Sequence, residues 1–453
     1  MSSLIQKYNV PGPRYTSYPT VPYWENENFS LESWKVNCKK TFDLTNTKEG
    51  ISIYIHLPFC ESLCTFCGCH KRITKRHEVE LPYIDLLIKE WNLYLDLFKS
   101  KPIIKEIHLG GGTPTFFSPE NLQKLITHIF DRAVIHQNCE MSFEAHPNNT
   151  TKNHLQTLYN LGFRRLSLGV QDYDPVVQKV INRNQTFHSV AKVTIWAKEI
   201  GYTSISHDII YGLPFQTLDS IKDTIEKTKS LNPDRLAFYS YAHVPWIKGN
   251  GQRGFKDEDV PKDDFKRELY ELGKQMLLKN DFIEIGMDHF STSEDTLYQS
   301  FINNDLNRNF MGYTSSKTDV LIGLGVSSIS DSWNAFAQNS KDFKEYEELI
   351  NQGEIPVVKG HLLNKEDLIF RKVILDLMCK FKTDLNLIPI HYLNDYTILE
   401  HLNEFVSDHL IEIKNNQVQI LEAGKPFIRN ICMVFDLRLK RNKPDTQLFS
   451  MTI

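Results

Sequence analysis

Long apolar runs, a surplus of basic residues and repeated segments are all missing from this sequence of 453 residues. A membrane-spanning helix needs roughly 18 consecutive apolar residues, and because no run reaches that length, we expect no membrane span. The formal net charge of -4 argues against a nucleic-acid partner. The first ten residues are polar and lack an apolar signal segment, so a cytoplasmic location is expected.

Cysteine is scarce outside one short stretch. Of the eight cysteines, half fall within ten residues, at Cys60, Cys64, Cys67 and Cys69. In a reducing compartment these are expected to be metal ligands or thiols rather than disulfide partners. The remaining cysteines are scattered and are interpreted as buried small apolar residues, namely Cys38, Cys139, Cys379 and Cys432.

Apolar segments rich in β-branched residues alternate with helical patterns in the first half of the chain. The strand-like segments are residues 51–57, 103–109, 140–145, 165–170, 204–211 and 235–241. The alternation predicts an α/β fold with a parallel sheet and right-handed crossovers. Because there are six such units and not the eight of a closed barrel, a partial (β/α)6 TIM-like barrel is expected.

The pattern changes after about residue 352. Two amphipathic helices (365–381 and 391–405), a hairpin around Asn415-Asn416 and a further helix (426–439) are predicted there. A segment rich in Pro, Tyr and Thr, residues 8–22, indicates an ordered arm. The predicted organisation is an N-terminal arm (1–35), a catalytic domain (36–352) and a mostly helical C-terminal domain (353–453).

The clustered cysteines directly follow the first predicted strand, at the end where parallel α/β folds place their sites. Thiolates spaced as in Cys60, Cys64 and Cys67 can ligate three irons of a [4Fe–4S] cluster and leave the fourth open. A structural zinc site that also uses Cys69 or His70 is the alternative, although zinc sites usually join two short motifs across a longer gap. Cys69 is interpreted either as a fourth ligand or as a separate thiol near the substrate.

This Cys-x3-Cys-x2-Cys motif, with Phe66 before its last cysteine, resembles the radical S-adenosylmethionine superfamily. The run Gly110-Gly111-Gly112-Thr113 after the second predicted strand is similar to the glycine-rich motif of that superfamily. Further segments along nearly the whole chain resemble the family of oxygen-independent coproporphyrinogen III oxidases, also called coproporphyrinogen dehydrogenases; they are residues 9–20, 67–71, 167–172, 182–183, 208–214, 241–243, 286–290 and 429–433.

The resemblance implies a specific activity in porphyrin and haem biosynthesis. Two propionates of coproporphyrinogen III would be oxidatively decarboxylated to vinyl groups without oxygen, through a 5′-deoxyadenosyl radical, to give protoporphyrinogen IX. The implied cofactors are a [4Fe–4S] cluster on Cys60, Cys64 and Cys67 and two molecules of S-adenosylmethionine. An electron donor such as a flavodoxin or ferredoxin, an electron acceptor, and a monomeric enzyme are also implied.

The same resemblance assigns roles to individual residues. One S-adenosylmethionine molecule would contact Tyr54, Gly111, Glu144 and Ile329. The second would contact Phe66, Gly112, Thr113, Gln171, Arg183, Asp208 and Ala242. The candidates for catalysis are Tyr54, His56, Cys69 and Arg14. Arg14, in the arm, is expected to approach a substrate carboxylate. Arg183 is expected to pair with a carboxylate through a two-pronged contact.

Two positions depart from the family pattern. Met311 stands where the family usually has Gln, and it cannot donate a hydrogen bond, which argues against a polar role there. His146 stands where a carboxylate is frequent; we expect both changes to tune activity rather than abolish it. Two alternatives lie in the same superfamily, a haem chaperone and a haem-degrading radical methyltransferase; the arm around Arg14 and the presence of Cys69 argue against the chaperone.

Overall fold

The computed structural model describes residues 2–245, 252, 254–444 and 446–452. Its first eight strands are β1 (Ile51–Leu57), β2 (Phe59–Cys60), β3 (Arg72–Ile73), β4 (Ile103–Gly111), β5 (Val134–Ala145), β6 (Arg165–Gln171), β7 (Ser204–Tyr211) and β8 (Arg235–Ser240). Strands β2 and β3 form a short separate pair. The other six lie side by side in chain order and pair in parallel, which confirms the six predicted units.

The sheet extends beyond these six strands at both edges. The next strands are β9 (Ile283–Gly286), β10 (His289–Ser291), β11 (Asn307–Asn309), β12 (Gly312–Thr314), β13 (Leu321–Leu324), β14 (Ile329–Asp331), β15 (Ala335–Asn339) and β16 (Val357–Leu362). The order is β16-β15-β14-β13-β1-β4-β5-β6-β7-β8-β10-β9, with β13 parallel to β1. Within the described residues the edge strands β16 and β9 do not pair with each other, so the barrel is partial.

Helices connect the strands and cover the sheet. They are α1 (Ser2–Tyr8), α2 (Leu31–Glu49), α3 (Glu80–Phe98), α4 (Pro119–Asp131), α5 (Lys152–Asn160), α6 (Pro175–Val180), α7 (Phe187–Ile200), α8 (Leu218–Ser230), α9 (Asp263–Leu278), α10 (Thr296–Ile302) and α11 (Phe343–Asn351). Ser118 caps α4 by accepting a hydrogen bond from the Asn121 N–H, and Gly201 ends α7 with φ 109°. None of the described helices is long and apolar enough to cross a membrane.

Strand β1 shows how the sheet positions the site. Its residues Ile53, Ile55 and Leu57 are fully buried in the main apolar core. Because successive side chains of a strand point to opposite faces, Tyr54 and His56 lie on the other face. Burying an aliphatic side chain stabilises the fold by about 1.5–3 kcal/mol, so the apolar alternation fixes which side chains of β1 reach the site.

The C-terminal part contains α12 (Lys365–Lys380), β17 (Lys382–Asp384), α13 (Ile390–Asp395), α14 (Ile398–Ser407), β18 (Ile411–Lys414), β19 (Gln417–Ile420), α15 (Ile428–Met433) and α16 (Leu437–Arg441). The predicted hairpin is confirmed, with φ 51° at Asn415 and 59° at Asn416. The predicted helix 391–405 is divided at Thr397, which has φ 47°. The predicted helix 426–439 is wrong in its extent, because Pro426 lies in a 3-10 segment before α15 and a further break precedes α16.

The N-terminal arm is ordered, as expected. Tyr8, Tyr15 and Tyr18 are buried in the apolar cluster formed by the C-terminal helices. The buried Arg429 donates hydrogen bonds to the carbonyl oxygens of Gly12 and Pro13. The arm and the C-terminal helices therefore share one core, while the exact domain boundaries stay a prediction.

Candidate active site

The cysteine loop is fixed by main-chain contacts with the glycine run after β4. The Gly112 N–H donates to the Leu57 carbonyl at 2.9 Å, and the Thr113 N–H donates to the Phe59 carbonyl at 3.0 Å. A Cβ atom at Gly112 would lie 2.6 Å from the carbonyl carbon of Pro58. Only glycine permits this approach, so the glycine run determines where Cys60 begins the loop.

The three predicted cluster ligands line one cavity of about 400 Å³, here called the cysteine cavity. The Thr113 hydroxyl donates to Cys60 Sγ at 3.4 Å, and Arg183 Nη1 donates to Cys64 Sγ at 3.6 Å. All eight cysteines are free thiols. The cavity also brings together most of the predicted cofactor contacts: Phe66, Gly111, Gly112, Thr113, Glu144, Gln171, Arg183 and Asp208.

The thiols of the cysteine loop have shifted pKa values, because two of them share a hydrogen bond, a lysine lies nearby and burial acts on them. A hydrogen bond with the Cys69 thiol lowers the pKa of Cys67 to about 6, and the nearby Lys71 lowers it further. The same hydrogen bond raises the pKa of Cys69. Burial raises the pKa of Cys60 to about 11. Lys71 Nζ also donates to the carbonyl oxygens of Cys67 and Cys69, at 3.1 and 3.3 Å, and so braces the loop.

A second cavity of about 730 Å³, here called the wide cavity, adjoins the first. Both cavities are lined by Cys67, Cys69, Lys71, Gly111 and Glu144. The predicted residues Tyr54, His56 and Ile329 line the wide cavity alone, together with Met311 and Lys341. A pocket of this size accommodates a large organic ligand.

Glu144, at the end of β5, stands between the two cavities as a carboxylate. Its Oε2 accepts a hydrogen bond from the Gly111 N–H at 3.1 Å, and its Oε1 lies 3.6 Å from His108 Nε2. Burial acts to raise the pKa of Glu144, but the nearby His108 ring and the hydrogen bond from the Gly111 N–H outweigh it, and the pKa is lowered.

Tyr54 and His56 form a hydrogen-bonded pair with a fixed direction. His56 Nε2 lies 2.9 Å from the His70 carbonyl oxygen, which can only accept, so Nε2 carries the proton. His56 Nδ1 is therefore the acceptor for the Tyr54 hydroxyl at 3.0 Å. Burial lowers the pKa of His56 to about 4, so this imidazole is neutral at physiological pH.

Asp208 on β7, Gln171 at the end of β6 and Arg183 after α6 all line the cysteine cavity. The Ser167 hydroxyl lies 2.8 Å from each carboxylate oxygen of Asp208, and burial raises the pKa of Asp208 to about 7. Arg183 is buried and donates to the carbonyl oxygens of Gly169 and, at 2.9 Å, of the Gln185 side chain. A Cβ atom at Gly169 would lie 2.7 Å from Gln171 Nε2 and 2.8 Å from Arg183 Nη2, so a larger residue there would displace these two side-chain ends.

Two predicted site residues lie outside both cavities. Arg14 Nη1 is 3.3 Å from Asp288 Oδ2, and Nη2 donates to the Ser240 carbonyl at 3.0 Å, beside a separate small cavity. The Ala242 carbonyl accepts from Gln252 Nε2 at 3.0 Å. The roles assigned to Arg14 and Ala242 stay predictions.

Sequence reasoning did not single out His108 or Ser167, which contact the carboxyl groups of Glu144 and Asp208. The available signal for His108 was a polar residue within the apolar strand Ile107-His108-Leu109.

The two departures from the family pattern both face the site: His146 lines the cysteine cavity and Met311 lines the wide cavity. Burial lowers the pKa of His146 to about 3, so it replaces a carboxylate with a neutral ring.

The sequence model of the radical SAM superfamily matches residues 54–228, the segment that contains the cysteine loop and both carboxylates. The solved structure of a radical SAM enzyme, coproporphyrinogen III oxidase from Escherichia coli, matches with a TM-score of 0.87 and 34% identity, over 96% of this chain and 98% of that one. The fold and the cysteine site thus define a radical SAM protein.

Curated relatives narrow this class. The protein from Helicobacter pylori strain 26695 is 39% identical over 96% of both chains, and that from Escherichia coli K12 is 36% identical over 100% of this chain and 98% of its own. Both are named oxygen-independent coproporphyrinogen III oxidase, and the chain belongs to that family.

Membership of the radical SAM superfamily implies a [4Fe–4S] cluster and S-adenosylmethionine as cofactors. The site fits them, because three free thiols line one cavity and cationic groups of Arg183 and Lys71 lie beside them. In the described part of the chain, no three His, Cys, Asp or Glu side chains are arranged to hold a single metal ion. Membership of this family argues against the alternative of a structural zinc site at these cysteines.

Proposed function

We propose that the protein catalyses the oxygen-independent oxidative decarboxylation of two propionates of coproporphyrinogen III, giving protoporphyrinogen IX for haem biosynthesis. Full-length likeness to relatives with this name supports the assignment. The structural observation that carries it is the wide cavity, of about 730 Å³, which shares Cys67, Cys69 and Glu144 with the cysteine cavity. A tetrapyrrole bound there would lie directly beside the cofactors.

The cluster is assigned to Cys60, Cys64 and Cys67, and when reduced it supplies the electron that cleaves S-adenosylmethionine to a carbon radical. Two groups of residues are assigned to the binding of two molecules of S-adenosylmethionine. The first is assigned to Gly111 and Glu144, which line both cavities, and to Tyr54 and Ile329, which line the wide cavity. The second is assigned to Phe66, Gly112, Thr113, Gln171, Arg183, Asp208 and Ala242. All of these except Ala242 line one of the two cavities.

The charges of these side chains suit their assigned tasks. Ionised Glu144 accepts hydrogen bonds from an ammonium or from hydroxyl groups. The Tyr54 hydroxyl donates its hydrogen bond to neutral His56, so the Tyr54 oxygen is left to accept from the cavity side. The hydrogen bond between Tyr54 and His56 fixes the orientation of both rings in the wall of the wide cavity.

The net reaction requires two partners besides the substrate. Each propionate loses one hydrogen atom from its β-carbon, one CO2 and one electron as its vinyl group forms. An electron acceptor must take that electron, and a donor such as a flavodoxin or ferredoxin must reduce the cluster. The enzyme is assigned to the cytoplasm as a monomer, with residues 36–352 as its catalytic domain between the arm (1–35) and the helix-rich domain (353–453).

The test is anaerobic incubation of the reconstituted protein with coproporphyrinogen III, S-adenosylmethionine and a reductant, followed by product mass analysis. The mass of the expected product is lower than that of the substrate by two molecules of CO2 and four hydrogen atoms. Cys64→Ser is expected to abolish it, whereas Cys139→Ser, a half-buried cysteine outside the loop, is expected to retain it. A product that has gained a methyl group, or haem binding without any vinyl product, would contradict the proposal.

A further inference from the structure

One stretch of the wide cavity wall is formed by two loops that carry Ser327 and Lys341. Ser327 lies in the turn between β13 and β14, and Lys341 lies between β15 and α11. The Ser327 N–H donates to the carbonyl of Ser340, the residue before Lys341, at 2.8 Å. This bond sets the hydroxyl and the ammonium on adjoining segments of the same wall.

Lys341 adds positive charge to the wide cavity, and its ammonium is not paired with the cavity carboxylate Glu144. Two lysines line the wide cavity, and Lys71 is occupied by the carbonyl oxygens of Cys67 and Cys69. The Lys341 ammonium has no hydrogen bond or ion pair with the residues that the structure describes. After burial, the positive charge of Lys341 is the next cause that lowers the pKa of both His70 and Lys359.

Ser327 is held in a conformation that its residue type disfavours. Its φ is 64°, in the left-handed region that favours glycine, and such strain is concentrated at functional sites. Its neighbour Ser328 donates to the Gly325 carbonyl at 2.8 Å and accepts from Asn339 at 3.0 Å. By contrast, the Ser327 hydroxyl has no hydrogen-bond partner among the described residues and remains available to a ligand in the cavity.

We propose that Lys341 and Ser327 bind a carboxylate of the substrate, a propionate other than the one that reacts. This inference rests on the proposed function, since the substrate carries four propionates and only one at a time can reach the wall shared with the cysteine cavity. An ammonium and a hydroxyl together match the acceptor positions of one carboxylate. The pair would orient the tetrapyrrole and determine which propionate faces Glu144 and Tyr54.

The test uses the reconstituted enzyme and the variants Lys341→Met, Lys341→Arg and Ser327→Gly. Glycine suits the backbone at position 327, so this change removes the hydroxyl without adding strain. Lys344→Met is the matched control, because Lys344 lies three residues further on, outside the cavity, and pairs with Glu348 at 3.4 Å. Two quantities are measured: KM and kcat for coproporphyrinogen III, and the equilibrium binding of fluorescent coproporphyrin III to each protein.

Lys341→Met is expected to raise KM and weaken porphyrin binding about tenfold, with kcat within about twofold of wild type, because a hydrogen bond to a charged group is lost. Ser327→Gly is expected to act in the same direction to a smaller extent, and Lys341→Arg is expected to restore most of the binding. Equal losses in the Arg and Met variants, or a Lys341→Met enzyme that matches Lys344→Met, would overturn the assignment. Porphyrin binding separates this result from the reaction itself: a wild-type enzyme that binds the tetracarboxylate through Lys341 but forms no vinyl product would refute the proposed function alone.

Discussion

Glu144 on β5 and Asp208 on β7 both line the cysteine cavity, yet the pKa values of their carboxyl groups shift in opposite directions. The pKa of Glu144 is lowered, whereas burial raises the pKa of Asp208 to about 7. Glu144 faces an imidazole and a main-chain N–H, but the nearest donors to Asp208 are the hydroxyls of Ser167 and Ser206. Burial alone therefore does not decide the charge of a carboxyl group; the strength of its donors does.

Removing the charge of Glu144 is the most severe way to test this comparison. Glu144→Gln keeps the shape but loses an ionised acceptor, and we expect kcat/KM to fall about 100-fold or more, since charge-assisted hydrogen bonds contribute about 1.5–3 kcal/mol each. Steady-state kinetics and the yield of 5′-deoxyadenosine measure the effect. Glu199→Gln, which breaks an exposed pair with Lys152, is the control, and a loss below about threefold at Glu144 would show that its charge is dispensable.

Ionisation of Asp208 is expected to destabilise the folded protein as the pH rises, whereas ionisation of a paired carboxylate stabilises it. Its pKa is about 7 in the folded protein and 3.8 in the unfolded chain, so the folded state binds more protons between these values. The free energy of unfolding therefore falls as the pH rises from about 4 to 7. In the cofactor-free protein, Asp208→Asn should add about 2 kcal/mol of stability at pH 8 and little at pH 4.5.

Urea unfolding at the two pH values measures the Asp208 effect. The exposed Asp223, which pairs with Lys227 at 2.7 Å, provides the control variant Asp223→Asn. If Asp208→Asn changed stability equally at both pH values, the raised pKa of Asp208 would be ruled out.

His108 should be the residue that makes the two carboxylates different. In His108→Gln the pKa of Glu144 is expected to rise, because burial then acts with less opposition. The acid limb of the pH profile of kcat/KM should move to higher pH, with activity at pH 6 about tenfold below wild type and a smaller loss at pH 8. His128→Gln on α4, whose ring pairs with Asn92 at 3.1 Å, should leave the profile in place; a uniform loss across the pH range in His108→Gln would argue for a merely structural role.

Cys69 should give the smallest effect, because it lines both cavities but is not assigned to the cluster. Cys69→Ser is expected to keep the iron and sulfide content and the visible absorption of wild type. Cys64→Ser, prepared in parallel, should lose them. Loss of the cluster in Cys69→Ser would make Cys69 a fourth ligand, the alternative left open by the spacing of the loop.

The parts of this molecule that follow local rules could be predicted. The six parallel strands, the caps at Ser118 and Gly201 and the Asn415-Asn416 hairpin all depend on neighbouring residues. Strand β13 was missed, because Leu321–Leu324 is only four residues long and becomes a strand through its pairing with β1. The division of the helix at Thr397 was also missed.

The cavities were beyond local rules for a similar reason. The cysteine loop and the glycine run carry sequence motifs, and the structure places them together. His108, Ser327 and Lys341 carry no motif, and their positions around the cavities depend on strands and loops distant in sequence. Ser167 lies in a family-like segment, but its contact with Asp208 joins two different strands. The same limit applies to Arg14, whose pairing with Asp288 joins residues 274 positions apart.

Two buried arginines donate hydrogen bonds to the N-terminal arm, and this has a practical consequence for variants that lack the arm. Arg429 is bonded to the carbonyl oxygens of Gly12 and Pro13, and Arg308 to those of Arg14 and Tyr15 at 3.3 Å. A shortened chain lacking these residues would remove acceptors from both guanidinium groups, and each donor left unsatisfied in the interior costs about 1–3 kcal/mol. Arg429 would keep its bond to the Met451 carbonyl. Cutting back the amino terminus would thus damage the opposite end of the chain, and a truncated protein would report on folding rather than on access to the substrate.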